Sequence, residues 1–449
     1  MLFYKYNKGD EKVNKPFSFY LVTDTHLFDK SYSRCGEAYE KRSRTDQKCV
    51  AETPAIIDAG FAQLAKDKDT NFILIPGDLV YRGEYQSHIT FRQKLYDLQN
   101  EGKKIYLITA RHDYEGESAE FIGNEVVPVK GMPRDELRDF YKDFGFENAI
   151  SEHKKTMSYV AQLDNGLRLL ALNCDGDCKD FKGIWDDQMA WALEQIKDAH
   201  DSGNYIFAMT HYPLLPFSPI MNLIGDSHLT DWQKVAETLA DAGVDLIFTG
   251  HMHAQAVTDY TTAKGNTITD VQTGSFVGCP CAYRKVTFKD KNTVDIKSYT
   301  IDDFDYDKGG RTAKEYFRWR FDRMIDVKMN EILPKPVMNM LNRLTVKKLC
   351  NLLWFSPDKS IQDILAKDLG IELVRNIFMG DEPYVKGTSV YTAFEKLLKR
   401  LHPITHIIEK KLKPKNEILG DLDNFILSMI GDEKQRDNKV TLRINKMNY

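Results

Sequence analysis

No run of apolar residues in this 449-residue chain approaches the ~20 that a bilayer-spanning helix needs. Met1–Lys15 is polar and charged and lacks the apolar core of a signal peptide, so the expected location is cytoplasmic. Charge of one sign is scarce: 62 basic against 66 acidic residues leave a net −4, and no aromatic-interleaved basic motif occurs, so nucleic acid is not an expected partner. Cysteine is sparse and odd in number: Cys35, Cys49, Cys174, Cys178, Cys279, Cys281 and Cys350. Neither Cys174/Cys178 nor Cys279/Cys281 has zinc-finger spacing, and the thiols read as idle ones in a reducing compartment. Also missing are a G-x-x-x-x-G-K-S/T loop, a G-x-S-x-G elbow and an H-E-x-x-H helix. Those absences remove P-loop nucleotide hydrolysis, the α/β-hydrolase nucleophile and the zincin protease pattern.

What is present is ordinary globular composition, 42% hydrophobic and 29% charged, at a length suited to two or three domains. The charge is unevenly placed. From Arg311 to Tyr449 there are 26 basic and 18 acidic residues, against 36 and 48 before it. The texture changes in the same place, after Asp307-Lys308-Gly309-Gly310, where helical patterns punctuated by proline take over. The expected organisation is a main region over 1–304 and a mostly helical accessory region over 305–449.

The first region repeats one unit. A short run rich in β-branched and aromatic residues ends abruptly in residues that bind metals. Phe17–Thr23 leads into Asp24 and His26, Phe72–Pro76 into Gly77-Asp78, and Lys104–Thr109 into Arg111-His112-Asp113. Tyr205–Thr210 leads into His211, and Val244–Thr249 into Gly250-His251-Met252-His253. Runs without alternation suit strands buried on both faces. Helical spacing at Pro54–Lys66, Ile89–Gln99, Gln188–His200 and Asp231–Ala242 separates several of them, which indicates an α/β sheet. Stricter alternation over about Met157–Asn173 and Thr267–Thr300 adds antiparallel strands, so the sheets are expected to be mixed. Ligands bind at the carboxyl ends of strands in such folds, where all five polar clusters fall. Asp24 and His26 lie two apart in an extended chain, so both side chains face the same way, as do His251 and His253. Two carboxylates and four imidazoles can hold two divalent cations, and the donor types leave Mn²⁺, Zn²⁺ and Fe open.

In their order and strand contexts, Asp24-Thr25-His26, Gly77-Asp78, Ala110-Arg111-His112-Asp113, His211 and Gly250-His251-Met252-His253 resemble the motifs of the calcineurin-like metallophosphoesterases. The resemblance covers roughly residues 17–300, and the branch it suggests is bacterial phosphohydrolases with a helical C-terminal extension. It implies a sandwich of two mixed sheets flanked by helices. It also implies a first metal on Asp24, His26, Asp78 and His253, and a second on Asp78, His211 and His251. The activity implied is phosphomonoester or phosphodiester hydrolysis, with a metal-held hydroxide attacking in line and His112, oriented by Asp113, protonating the leaving oxygen.

One position departs from the pattern. Arg111 stands where the family has a metal-binding asparagine, after Ala110 in place of glycine. A guanidinium has no lone pair to give. The second metal is then left with fewer protein ligands and weaker binding, or Arg111 holds a substrate phosphate oxygen, or it pairs with a nearby carboxylate. The rival reading that Arg111 motivates is a non-catalytic metal-binding scaffold on the same fold. Arg34, Lys41, Arg42, Arg44 and Lys48 make the Asp29–Val50 loop basic, and interspersed acids favour a solvated surface there. Leu214–Ile224 is expected either to wall the substrate cleft or to pack against the helical region. The amphipathic Leu341–Phe355 is expected to cover the catalytic region with its apolar face rather than to contact a membrane surface.

Overall fold

The computed structural model describes residues 16–445 except 165, 176–180, 220, 222–225, 334, 353, 355, 358, 360, 413–421 and 433. Met1–Lys15, Cys178 and part of the Leu214–Ile224 run therefore lie outside the described residues. The strands are β1 (Phe17–Leu21), β2 (Phe72–Pro76), β3 (Lys104–Ile108), β4 (Ala119–Ile122), β5 (Glu125–Pro128), β6 (Ala149–His153), β7 (Ser158–Asp164) and β8 (Leu167–Ala171). They continue with β9 (Tyr205–Met209), β10 (Leu246–Thr249), β11 (Ala256–Thr261), β12 (Thr267–Gln272), β13 (Ala282–Asp290), β14 (Thr293–Thr300) and β15 (Lys439–Arg443). The helices of the first region are α1 (Glu37–Thr45), α2 (Thr53–Lys66), α3 (Tyr85–Asn100), α4 (Arg134–Phe140), α5 (Asp186–Asp201) and α6 (Trp232–Asp241). Beyond them lie α7 (Ala313–Ile332), α8 (Lys335–Leu341), α9 (Val346–Leu352), α10 (Ala366–Met379), α11 (Ser389–Leu412) and α12 (Leu422–Ser428).

Two mixed sheets pair face to face with helices outside. The six-stranded sheet runs β15-β14-β13-β1-β2-β3, and the seven-stranded sheet runs β11-β12-β10-β9-β8-β7-β6. The apolar runs read from the sequence are β1, β2, β3, β9 and β10. Strands β1-β2-β3 run parallel at one end of the six-stranded sheet, and β9 and β10 pair in parallel inside the seven-stranded one. There β8, expected to be antiparallel, pairs antiparallel with β7 and parallel with β9. Parallel neighbours need long crossovers, and α2, α3 and α6 supply them. Between the sheets, Phe19 stacks on Phe207 at 5.5 Å, while Phe248 meets both edge-on at 5.3 and 5.6 Å. Such ring pairs contribute about 0.5–1.5 kcal/mol each beyond their burial. Outside the six-stranded sheet, α2 buries Ile56, Ile57, Phe61 and Leu64. On the seven-stranded sheet, α5 and α6 cover Ile206, Ala208 and Ile247 with Ile196, Val235 and Leu239. Of the Leu214–Ile224 run, Leu214 and Leu215 join this cluster and so pack under α5 and α6 rather than against the C-terminal helices.

The C-terminal region is helical, but its end was not anticipated from the sequence. β15 returns to pair antiparallel with β14 at the edge of the six-stranded sheet. Tyr316, Phe317, Phe321 and Met324 of α7 belong to the main core. Tyr316 donates its hydroxyl hydrogen to buried Glu52, and Arg320 Nε lies 3.6 Å from Glu52 Oε1. Leu341–Phe355 also differs from expectation. Leu353 and Phe355 lie outside the described residues; the rest includes α9 and the end of α8, and Val346 and Cys350 pack with Ile361, Leu369, Val390 and Ala393 in a small core of the C-terminal region itself. Among the described residues, no helix is long and apolar enough to cross a membrane.

Candidate metal centre

The loops that follow the parallel strands zip together. Asp24 N and His26 N donate to Gly77 O and Asp78 O at 3.3 and 3.0 Å, and Gly250 N donates to His211 O at 3.0 Å. Across the two sheets, His251 N donates to Asp24 Oδ2 at 3.0 Å and Phe276 N to Thr23 O at 3.0 Å. The backbones turn sharply to do this. Positive φ values occur at Asp24 (52°), His26 (39°), Asp78 (51°), His251 (69°) and His253 (57°). Outside glycine that conformation is uncommon, and it gathers at functional sites. Glycine is required beside them. Gly77 has φ 90°, and a Cβ there would sit 2.8 Å from Ala110 Cβ and 3.0 Å from His211 Nδ1. Ala110 replaces the family's glycine without strain, because its φ is −141°.

These turns gather all six residues chosen from the sequence into two clusters, Asp24/His26/His253 and Asp78/His211/His251, each with donor atoms within 4.8 Å of one another. His26 Nε2 lies 3.1 Å from His253 Nε2, 3.6 Å from Asp24 Oδ1 and 3.4 Å from Asp78 Oδ2. Asp78 Oδ2 is also 3.3 Å from His211 Nε2, so one oxygen faces both clusters. Two tautomers are fixed by carbonyls: His211 Nδ1 donates to Pro76 O at 2.8 Å, and His251 Nε2 donates to Asp226 O at 2.7 Å. Metal-binding histidines are commonly held this way. Asp24 Oδ1, His211 Nε2 and His251 Nδ1 are buried with no hydrogen-bond partner, as are Nδ1 of His26 and His253. Buried polar atoms are otherwise almost always paired, so this donor set fits metal ions.

Electrostatics favour the charged forms the site needs. Burial alone would raise Asp24, but the charge and hydrogen bonding of His253 and His26 overcome it and hold the carboxyl well below its usual range. Burial opposes Asp78 likewise, and the charges of His211, His112 and His26 overcome it. Against its own burial, His211 is pushed up to about 10 by the Asp78 carboxylate. Burial lowers His26 to about 4, with the Lys48 charge adding to it.

Arg111, His112 and Asp113 form a single 3-10 turn after β3. His112 comes to the site, with its ring 5.3 Å from that of His26 and its backbone N 3.3 Å from Asp78 Oδ1. Burial and then the Lys48 charge hold its imidazole well below the usual range. Asp113 does not reach over to orient that ring. Its Oδ1 accepts from Leu79 N and Val80 N at 2.7 and 3.0 Å, and its Oδ2 accepts from Ala110 N at 2.8 Å. Adjacency in sequence suggested a pair; the turn instead spends the carboxylate on pinning β2's exit loop to β3's. Buried His88 bridges Asp113 O at 2.8 Å and Tyr141 Oη at 2.7 Å and secures the same turn.

Arg111 takes the third course open to it. Its Nη1 lies 2.6 Å from Asp226 Oδ2. Of the loop cations, Arg42 pairs with Asp46 at 3.8 Å and Arg44 with Glu40 at 3.5 Å, as a solvated surface does. Lys48 differs. A backbone bridge ties it to Gly278, its Nζ lies 5.4 Å from the Tyr81 ring centroid, and its charge reaches His26 and His112.

Sequence reasoning missed Asp175 and Asp226. Asp175 is buried past the end of β8, 3.5 Å from Arg134 Nη2, and burial pushes it up to about 7. The rule of a strand ending in a polar residue could have found it. Asp226 acts partly through its carbonyl, and no side-chain pattern announces that. A third acidic group, Asp381/Asp432/Asp437, is a loop lock: Asp381 and Asp437 oxygens accept one another's backbone amides at 2.7 and 3.0 Å. Cys174 is buried, and burial lifts its thiol to about 11.

Among solved structures, the chain is similar to a dimetal phosphatase from Danio rerio, at 13% identity over 63% of this chain and 95% of that one, with a TM-score of 0.46. It is also similar to a purple acid phosphatase from yellow lupin (Lupinus luteus) seeds, at 12% identity over 64% and 52%, with a TM-score of 0.43. A third is the NAD nucleotidase of Haemophilus influenzae, at 12% identity over 61% and 47%, with a TM-score of 0.33. No curated protein matches. The profile of the calcineurin-like phosphoesterases matches residues 17–255, more than half of the chain. The chain thus belongs to the calcineurin-like phosphoesterase family and is a hydrolase of phosphoester bonds.

Proposed function

We propose that the protein hydrolyses a phosphomonoester or phosphodiester at a two-metal site, with Asp78 bridging. The observation that carries this reading is Asp78 Oδ2, 3.4 Å from His26 Nε2 and 3.3 Å from His211 Nε2. Asp24, His26, Asp78 and His253 would hold one ion, and Asp78, His211 and His251 the other, with Mn²⁺, Zn²⁺ and Fe all suited to the donors. Divalent ions there neutralise phosphoryl oxygens and acidify an attacking water. The chain's own residues do the rest. The left-handed turns fix the donors in advance, so little is reorganised on binding. His112, beside His26, protonates the leaving oxygen, and Asp113 keeps its turn in place. Arg111 is held by Asp226 at rest and reaches substrate only by leaving that partner.

The test is a panel of mono- and diesters assayed with metal-stripped protein reloaded with Mn²⁺, Zn²⁺ or Fe²⁺, with metal content measured on the same samples. Hydrolysis by the loaded protein alone is expected. Full loading without hydrolysis of any ester would favour the scaffold reading instead. Lys48 supplies a sharper check. Its cation stands near His112 without a carboxylate at ion-pair distance among the described residues. A charge-assisted contact is worth about 1.5–3 kcal/mol, so Lys48→Met is expected to raise KM about tenfold or more and to change metal content little. An unchanged KM would place Lys48 outside the substrate's reach.

A further inference from the structure

The family's asparagine is a metal ligand, and its replacement by a cation ought to cost this chain its second ion. The surroundings of Arg111 answer that cost. Asp226 addresses the second cluster twice: its carboxylate meets Arg111 Nη1 at 2.6 Å, and its carbonyl accepts His251 Nε2–H at 2.7 Å. Fixing Nε2 as the donor leaves His251 Nδ1 as the lone pair, buried and without a partner in the Asp78/His211/His251 cluster. Tyr212 packs against the assembly from the side, with its ring 4.0 Å from that of His251. Lys182 Nζ, 3.5 Å from Asp226 Oδ1, completes the group.

We infer that Asp226 is a positioning residue that compensates for Arg111: it cancels the guanidinium charge next to the second metal site and aims His251 into it. This rests on the two-metal reading above. An isolated cation repels a divalent ion over a long range, whereas a closed ion pair presents only a dipole, whose field falls off faster. The chain can therefore keep a second ion without the asparagine, provided Arg111 stays paired. The carboxylate and the carbonyl of Asp226 do separable jobs. Asp226→Asn removes the charge and leaves the carbonyl that holds His251.

The experiment is calorimetric titration of the metal-stripped full chain with Mn²⁺, and separately with Zn²⁺. Wild type is expected to take up two ions. In Asp226→Asn, the second step should weaken tenfold or more while the first is unchanged. In the double variant Asp226→Asn/Arg111→Met, the second step should return to within about threefold of the Arg111→Met single variant, because the guanidinium that Asp226 cancels is gone. A purely structural role for Asp226 would not be rescued by removing its partner's charge. Wild-type affinity for both ions in Asp226→Asn overturns the inference, as does failure of Arg111→Met to rescue the second step, and both leave the two-metal reading standing. A wild-type chain that takes up one ion or none overturns the two-metal reading, and this inference with it.

Discussion

Asp78→Asn is expected to abolish turnover and to strip metal from both clusters while leaving the fold intact. The oxygen that faces His26 Nε2 at 3.4 Å and His211 Nε2 at 3.3 Å belongs to this residue alone. An amide oxygen carries no formal charge and cannot neutralise two dications. Removing a residue that merely supports a ligand costs about 10–100-fold in affinity or activity. Losing a shared ligand should exceed that range for both ions. The fold should survive for a local reason. Asp78 has φ 51°, and asparagine is the residue besides glycine and aspartate that best tolerates that conformation. Its isosteric side chain also fills the same space. Activity, metal content and thermal midpoint measured on one preparation check all three parts. Near wild-type turnover would show that no ion depends on Asp78.

A chain ending at residue 304 is expected not to fold cooperatively, although the sequence places the catalytic region before that point. The reason is what crosses the boundary. Tyr316, Phe317, Phe321, Leu442 and Ile444 belong to the main core, and their loss would uncover apolar surface. Glu52, 3% exposed, would lose both Tyr316 and Arg320. Arg284, fully buried, donates to Thr273 Oγ1 at 3.0 Å, Gln272 O at 2.6 Å, Ser298 Oγ at 3.1 Å and the carbonyl of Asp437. Truncation removes the last of these and leaves a buried donor to be satisfied elsewhere. Breaking a single buried ion pair from one side costs about 3–5 kcal/mol, so Arg320→Ala alone should consume much of a typical domain's stability. Urea unfolding of both variants reads the effect. A 1–304 fragment with a wild-type transition would show that the helical region is dispensable to the sandwich.

The contrast between these two sites shows what the sequence could reveal. The strands β1, β2, β9 and β10 were plain because burial on both faces writes an unbroken apolar run, and each carried clustered residues just past its end. β15 was not, because Lys439–Arg443 is an edge strand with only Leu442 buried, so most of its residues are free to be polar. The six clustered residues were legible because metal chemistry demands particular side chains at strand ends. Asp226 was not, because part of its contribution is a carbonyl that every residue has. Asp113 misled for a related reason. Side-chain adjacency is visible in sequence, but the direction in which a 3-10 turn sends each side chain is not. Arg111 announced itself as an anomaly, yet its partner lies 115 positions away.

The left-handed torsions at Asp24, His26, Asp78, His251 and His253 also bear on how far this protein can be made heat-resistant. At about 1 kcal/mol or more per residue, they withhold on the order of 5 kcal/mol from a molecule whose net stability is of similar size. A sequence selected for rigidity alone would relax those positions to glycine or asparagine and gain stability at once. That the chain keeps imidazoles and carboxylates there marks them as residues retained against the interest of the fold. Stability engineering guided by backbone geometry would target these five positions first and would erase the chemistry in doing so. Gains compatible with activity have to come from elsewhere, such as the helical surface and the sheet edges, where no torsion is held for a ligand's sake.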